Sequence, residues 1–158
     1  MDDSLTGLLL LGAIILLNAL LKMSYVTLIN AHKAKLKDLA DEGNTRAARA
    51  FDLANDATRL LASRQIVDLA LRFGIALVSA VAIAPPLRDA LLEQDMSGGL
   101  ASLIAYGGVL FFAAVLTLVL GEMLPTTIAL GYADALALRV ARPIDILSHA
   151  LAPMLRLL

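Results

Sequence analysis

The chain has 158 residues, of which 59% are hydrophobic and 17% charged, and its mean hydropathy of +0.81 is typical of an integral membrane protein. The net charge is −1, whereas nucleic-acid-binding proteins usually carry a positive net charge, so we expect no nucleic-acid partner. The absence of cysteine excludes disulfides and thiolate metal sites. The length is that of one domain, residues 1–158.

The first predicted element is a membrane-spanning helix over residues 5–29. About 20 apolar residues are enough for a helix to cross a hydrocarbon core of roughly 30 Å. Asp2 and Asp3 stand where a signal peptide would carry lysine or arginine, so we interpret this run as the span itself. Helical spacing places three of its polar residues on one face, Asn18, Lys22 and Tyr25.

Residues 31–56 have the pattern of two amphipathic helices, separated at Gly43 and Asn44. They could form a coupling element or lipid-surface anchor, or a solvated helical hairpin that ties two spans together. We favour the hairpin. His32 has no ligand partner at helical spacing and is expected to be solvated.

A second span is predicted over residues 62–84, ended by Pro85 and Pro86. A third is predicted over residues 98–130, preceded by a short acidic loop. The second span carries three polar residues at spacings of three and four, and these are Gln65, Asp68 and Arg72.

Glu122 is the only charged residue between Gly98 and Leu130. A carboxylate in such a run is costly and by default faces a partner, an ion or a water-filled cavity. Pro125 has no N–H to donate to the carbonyl of Gly121, so that oxygen is predicted to be free. A carboxylate beside a free carbonyl suits a hard cation.

Residues 132–158 are predicted to form a juxtamembrane helical belt, because apolar residues recur at steps of three and four while the charges lie mainly off that stripe. Pro143 and Pro153 are expected to divide this belt into short helices. His149 is expected to be solvated. The predicted fold is thus an all-α integral membrane protein with three transmembrane helices and amphipathic juxtamembrane helices.

The distribution of lysine and arginine predicts the orientation of the spans. The loop between the first two spans is basic, and so is the region after the third span, with Arg139, Arg142 and Arg156. Both are therefore expected to face the cytoplasm, with the N-terminus outside, in a multi-pass protein of the cell (inner) membrane.

The costly polar groups of the three spans are predicted to lie at one depth. Ser24, Asp68 and Glu122 are five, six and eight residues from the cytoplasmic ends of their predicted spans. At 1.5 Å per residue, each lies about 8 to 12 Å inside the same boundary. Polar residues placed independently in three helices would not usually lie at the same depth.

The chain resembles the transmembrane domain of the CorC/cyclin M (CNNM) family of magnesium transporters over nearly its full length. Five groups of residues carry the resemblance in order: Leu17-Asn18-Ala19 with Met23-Ser24, Leu39-Ala40-Asp41-Glu42-Gly43-Asn44, Gln65-Ile66, Gly121-Glu122-Met123-Leu124-Pro125 with Ile128-Ala129-Leu130, and Ala141-Arg142-Pro143 with Leu151-Ala152-Pro153.

The resemblance implies a homodimer that holds one largely dehydrated Mg²⁺ between its spans. By position, the ligands would be the Ser24 hydroxyl, the Asp68 and Glu122 carboxylates and the Gly121 carbonyl. Members of the family usually export magnesium with Na⁺ as coupling ion, and usually continue into a cytoplasmic CBS pair. No enzyme motif is present, since the histidines are isolated and no phosphate-binding loop follows a strand.

Two departures from the family pattern bring cations to the predicted site, because Lys22 and Arg72 stand where uncharged polar residues are usual. Arg72 follows Asp68 by four residues, in the favourable order for an ion pair on one helix. Lys22 could reach Asp68 or Glu122, and such a neutral cluster needs no metal. Alternatively, both basic side chains snorkel to the interface and leave the carboxylates for the ion.

Three functions therefore remain open. The first, which we favour, is transport of Mg²⁺ or another divalent cation, and the resemblance implies that the direction is efflux. The second is a degenerate, non-transporting membrane module for dimerisation or partner binding. The third is a sodium- or proton-coupled carrier in which Asp68 or Glu122 titrates.

Overall fold

The computed structural model describes residues 2–155, with side chains from residue 5 to residue 153. Arg156 lies outside the described residues. The described part of the chain contains no β-strand. It consists of helices joined by short turns, as the all-α prediction required.

Three helices are long and apolar enough, in length and composition, to cross a membrane: Leu5–Asn30, Ala57–Leu92 and Gly98–Gly131. The first span belongs to α1 (Asp2–Asn30). The other two each pass through a π-helical segment. The second consists of α4 (Ala57–Val78), a π segment (Ser79–Ile83) and α5 (Ala84–Leu92), and the third of α6 (Gly98–Leu116), a π segment (Thr117–Met123) and α7 (Leu124–Gly131).

The prediction that Pro85 and Pro86 end the second span is wrong. The helix continues through both prolines to Leu92. Proline clashes with the carbonyl four residues earlier and offers it no N–H. The π segment Ser79–Ile83 changes the bonding pattern of that turn just before the prolines, so the chain can remain helical. Pro125 follows the π segment Thr117–Met123 in the same way.

Residues between the first two spans form α2 (Lys33–Asp41) and α3 (Thr45–Asn55). The predicted break is confirmed, because Gly43 adopts a φ of +93°, which favours glycine. Asn44 then caps α3, since its side-chain oxygen accepts hydrogen bonds from the N–H groups of Arg46 and Ala47. The two short helices fold back on one another as a hairpin.

The belt after the third span consists of α8 (Ala133–Ala150) and α9 (Ala152–Leu155). The expectation that Pro143 divides the belt is wrong, because α8 runs through Pro143 without interruption. The apolar face of α8, including Val140 and Ile144, lies in one buried cluster with Tyr25 and Leu28 of the first span. The belt is therefore packed against the end of that span.

A second buried cluster lies farther along the spans and joins all three of them. It contains Leu11, Ile15, Ile75 and Ala113. Nearby, a Cβ added to Gly7 would lie 2.7 Å from the Cβ of Ala82, so the first two helices approach closely there.

Asp134 joins the start of α8 to the start of α2. Its carboxylate accepts hydrogen bonds from the backbone N–H of His32 at 3.1 Å and from Lys35 Nζ at 3.3 Å, and His32 Nδ1 lies 3.0 Å away. The backbone hydrogen bond is the main reason that the pKa of Asp134 is lowered to about 2. His32 is highly exposed, as expected, yet it has this partner.

Because the pKa of Asp134 is lower in the folded state, its ionisation stabilises the fold above the ordinary carboxyl pKa. That contribution is lost as the pH falls through about 2. We expect Asp134→Asn to lower the free energy of unfolding by about 1 kcal/mol or less near neutral pH. The difference from the parent should shrink steadily below about pH 4, measured by thermal unfolding in detergent. A difference that is constant across this range would contradict the assignment.

Candidate functional site: an intramembrane ion-pair cluster

The Lys22 ammonium group lies between carboxylates from the two other spans. Its Nζ is 3.2 Å from Asp68 Oδ2 and 3.9 Å from Glu122 Oε2. Lys22 is buried, with 8% of its surface exposed. Burial of one charge alone would be expensive, so these contacts are what keep the ammonium inside. All three spans are thereby joined by one cation.

Glu122 has a second partner in Arg72. The Arg72 Nη2 donates to Glu122 Oε1 at 2.7 Å, which is a short, charge-assisted hydrogen bond. The predicted pairing of Arg72 with Asp68 is therefore wrong. Asp68 instead contacts Arg64 Nε at 3.7 Å, one turn earlier on the same helix. Arg72 is left free to bridge to the third span, and its side chain remains more than half exposed.

The carbonyl of Gly121 accepts a hydrogen bond from Asn18 Nδ2 at 3.3 Å. The prediction that this oxygen is free is therefore wrong, because the Asn18 amide is its partner. A Cβ added at residue 121 would lie 2.7 Å from this nitrogen, so Gly121 allows the close approach of the first span. Both Gly121 and Glu122 belong to the π segment Thr117–Met123, a feature frequent at functional sites.

Ser24 is buried, and its hydroxyl donates to the carbonyl of Leu20 on its own helix at 2.7 Å. Within the described residues, no hydrogen bond links Ser24 to either carboxylate. The structure therefore brings Asp68 and Glu122 together around Lys22, with Gly121 adjacent, whereas the Ser24 hydroxyl is bonded within its own helix.

A cavity of about 520 Å³ lies between the second and third spans, next to this cluster. Its walls are mostly apolar. The Arg72–Glu122 pair supplies the charged part of its lining, and Thr117 adds an uncharged hydroxyl. The Thr117 hydroxyl donates to the carbonyl of Ala113 at 2.7 Å. The Glu122 side chain therefore lines a cavity and is not fully enclosed by the packed helices.

Sequence reasoning missed Arg64 as a partner of Asp68, whereas it placed Asn18 correctly on the face of Lys22. Arg64 precedes Asp68 by four residues, which is a spacing that brings side chains together on a helix. Asn18 precedes Lys22 by four residues on the same face. Among the described residues, no group of three or more His, Asp or Glu side chains could hold a metal ion.

A sequence model of the cyclin M transmembrane N-terminal domain matches residues 8–158. The chain belongs to the CNNM family. The resemblance found in the sequence is thereby confirmed. This family is associated with proteins of Mg²⁺ and other divalent-cation transport, and it is a membrane-transport family rather than a family of enzymes.

Two bacterial relatives show the extent of the similarity. The chain is 28% identical to the UPF0053 protein YhdT of Bacillus subtilis over 160 aligned positions, covering 99% of this chain and 34% of the relative. It is 27% identical to the UPF0053 protein sll0260 of Synechocystis sp. over 145 positions, covering 92% and 32%. The chain thus spans about a third of the length of the curated relatives it matches.

We expect Lys22→Met to lower the free energy of unfolding by about 2–3 kcal/mol, because it removes the cation shared by two partly buried carboxylates. Lys22→Met combined with Asp68→Asn should cost clearly less than the sum of the two single changes, since neither partner is then left charged and unpaired. The measurement is chemical unfolding in detergent.

The matched control is Lys37→Met, because Lys37 is exposed on α2 and its loss should change stability by less than about 0.5 kcal/mol. Additivity of the Lys22 and Asp68 substitutions would contradict the pairing.

Proposed function

We propose that this domain transports a divalent cation, Mg²⁺ in the first instance, across the membrane in the direction of efflux. The observation that carries the proposal is the convergence of Asp68 and Glu122, from separate spans, on one buried cation. Ionisable groups inside a membrane mark ion pathways more often than purely structural contacts. Membership in a family associated with divalent-cation transport supports the same conclusion.

Lys22 sets the electrostatic condition for binding. Three cationic side chains, Lys22, Arg64 and Arg72, already face the two carboxylates. Mg²⁺ added to this arrangement would be repelled, because the local charge is not negative. We propose that the ion binds when both the Lys22 ammonium and the Arg72 guanidinium leave the carboxylates, which gives the site a negative charge, so that the conformation described is a closed one. The Gly121 carbonyl and Ser24 hydroxyl would then complete the oxygen ligands.

The same ion pairs favour a second candidate function. If Lys22 and Arg72 stay paired with Asp68 and Glu122 throughout, the cluster is a permanent electrostatic tie between the spans. The domain would then be a non-transporting membrane module that serves dimerisation or partner binding. The two candidates differ in whether the parent protein binds and moves Mg²⁺.

The remaining parts of the proposal come from the resemblance and from the charge pattern. We propose that the chain acts as a homodimer in the inner membrane, with the N-terminus outside and membrane lipid around the spans. Na⁺ is the proposed coupling ion, moving against Mg²⁺.

The proposal is tested by Mg²⁺ flux in proteoliposomes, followed with an enclosed Mg²⁺-sensitive dye. We expect the parent to mediate flux and Glu122→Gln to reduce it at least tenfold, because the substitution removes a carboxylate at the proposed site. Glu93→Gln is the matched control, since Glu93 is exposed in the turn between the second and third spans.

A parent without flux would contradict transport. In that case, the second candidate function is tested by comparing Mg²⁺ binding by the parent with binding by the double variant Lys22→Ser, Arg72→Asn. Binding is measured by calorimetry. Binding that appears only in the double variant would support the module, whereas tight binding by the parent would exclude it.

A further inference from the structure

A groove lined by four arginines lies between α3 and α8, away from the intramembrane cluster. Its volume is about 620 Å³. Two arginines come from each helix, and no acidic side chain of the described residues lines the groove. The lining consists of Thr45, Arg46, Arg49, Leu138, Arg139, Ala141, Arg142 and Pro143.

The positive charge of this arginine groove is mostly uncompensated. Arg49 Nε lies 3.7 Å from Asp145 Oδ2, which is a loose ion pair. Within residues 5–153, no ion pair or side-chain hydrogen bond is found for Arg46, Arg139 or Arg142, and all three are exposed. Like charges gathered in one concave site create a field that concentrates anions. Guanidinium groups are suited to phosphate, because they present several donors in a plane.

The groove lies at the level where the spans end. The buried face of α8 includes Ala137 and Ala141, which are in one cluster with Leu28 and Ala31 at the end of the first span. The arginines of α8 occupy the same turns of that helix. Tyr132, exposed and next to the last residue of the third span, is an aromatic residue of the kind enriched at membrane interfaces.

We propose that the arginine groove binds the phosphate of an anionic lipid headgroup, of the phosphatidylglycerol type. The position at the end of the spans favours a lipid over a soluble phosphate, because a headgroup is already held at that level. Leu138 and Pro143 provide an apolar part of the wall beside the charges. Basic pockets next to transmembrane helices are suited to such headgroups. This binding goes beyond the proposed transport and does not depend on it.

The test uses the full chain in nanodiscs that contain phosphatidylcholine and a minority of phosphatidylglycerol. The sequence has no tryptophan, so Leu138→Trp places a single fluorescent reporter in the wall of the groove. Quenching by brominated phosphatidylglycerol is compared with quenching by brominated phosphatidylcholine. Native mass spectrometry of lipid adducts on the chain without the reporter gives an independent measurement of the same preference.

We expect a preference for phosphatidylglycerol that falls roughly tenfold when Arg139→Gln and Arg142→Gln are combined. The matched control combines Lys33→Gln with Lys37→Gln, which removes the same charge from exposed positions of α2 outside the groove. This control should keep most of the preference. Circular dichroism verifies that both double variants remain helical.

Three results would overturn the proposal. A parent with no preference for phosphatidylglycerol leaves the groove without a lipid ligand. An equal loss in the lysine control assigns the effect to general surface charge. Displacement of the lipid by inorganic phosphate or by polyglutamate, at constant ionic strength, assigns the groove to a soluble anion or to an acidic protein segment.

Discussion

The contact of one ammonium group with two carboxylates connects the three spans of this domain. Lys22 reaches Asp68 at 3.2 Å and Glu122 at 3.9 Å. Between helices surrounded by lipid, apolar surfaces have little reason to choose each other over the acyl chains, so polar contacts and close packing give the helices their specific arrangement. The arrangement in turn requires small residues. Gly121 allows the first span to approach the third closely, and Gly7 allows it to approach the second.

The ion-pair cluster lies between two apolar clusters that pack different parts of the structure. On one side, Leu11, Ile15, Ile75 and Ala113 hold the three spans together. On the other, the end of the first span packs against α3 and α8, so the belt is part of the buried structure and not only a surface attachment. The ion-pair cluster therefore forms a polar layer between two apolar clusters.

Much of the fold could be predicted from the sequence because hydropathy and helix-terminal residues are local signals. The first and third spans agree with the structure to within a residue, and the break at Gly43 follows from its positive φ. The second span was predicted too short at both ends: it begins at Ala57 and not at residue 62, and its C-terminal end was placed too early because Pro85 and Pro86 normally stop a helix. Only the backbone shows that a π segment precedes them.

Apart from Arg64, the members of the cluster could be predicted, but their pairing could not. Helical spacing places Asp68 within reach of both Arg64 and Arg72, and it cannot decide which arginine turns to another span. The outcome depends on the rotation of the third span, which brings Glu122 to 2.7 Å from Arg72. Ser24 was named as a ligand only through the resemblance, and spacing alone does not show that its hydroxyl donates to the Leu20 carbonyl of its own helix.

The π segments at Ser79–Ile83 and Thr117–Met123 also have an evolutionary consequence. A π turn accommodates an extra residue within an otherwise α-helical span. A homologue with one residue fewer there could revert to a plain α-helix while the side chains on either side keep their orientation. Alignments of this family should therefore permit single-position gaps within both segments, where a gap inside a membrane helix would ordinarily be treated as an error.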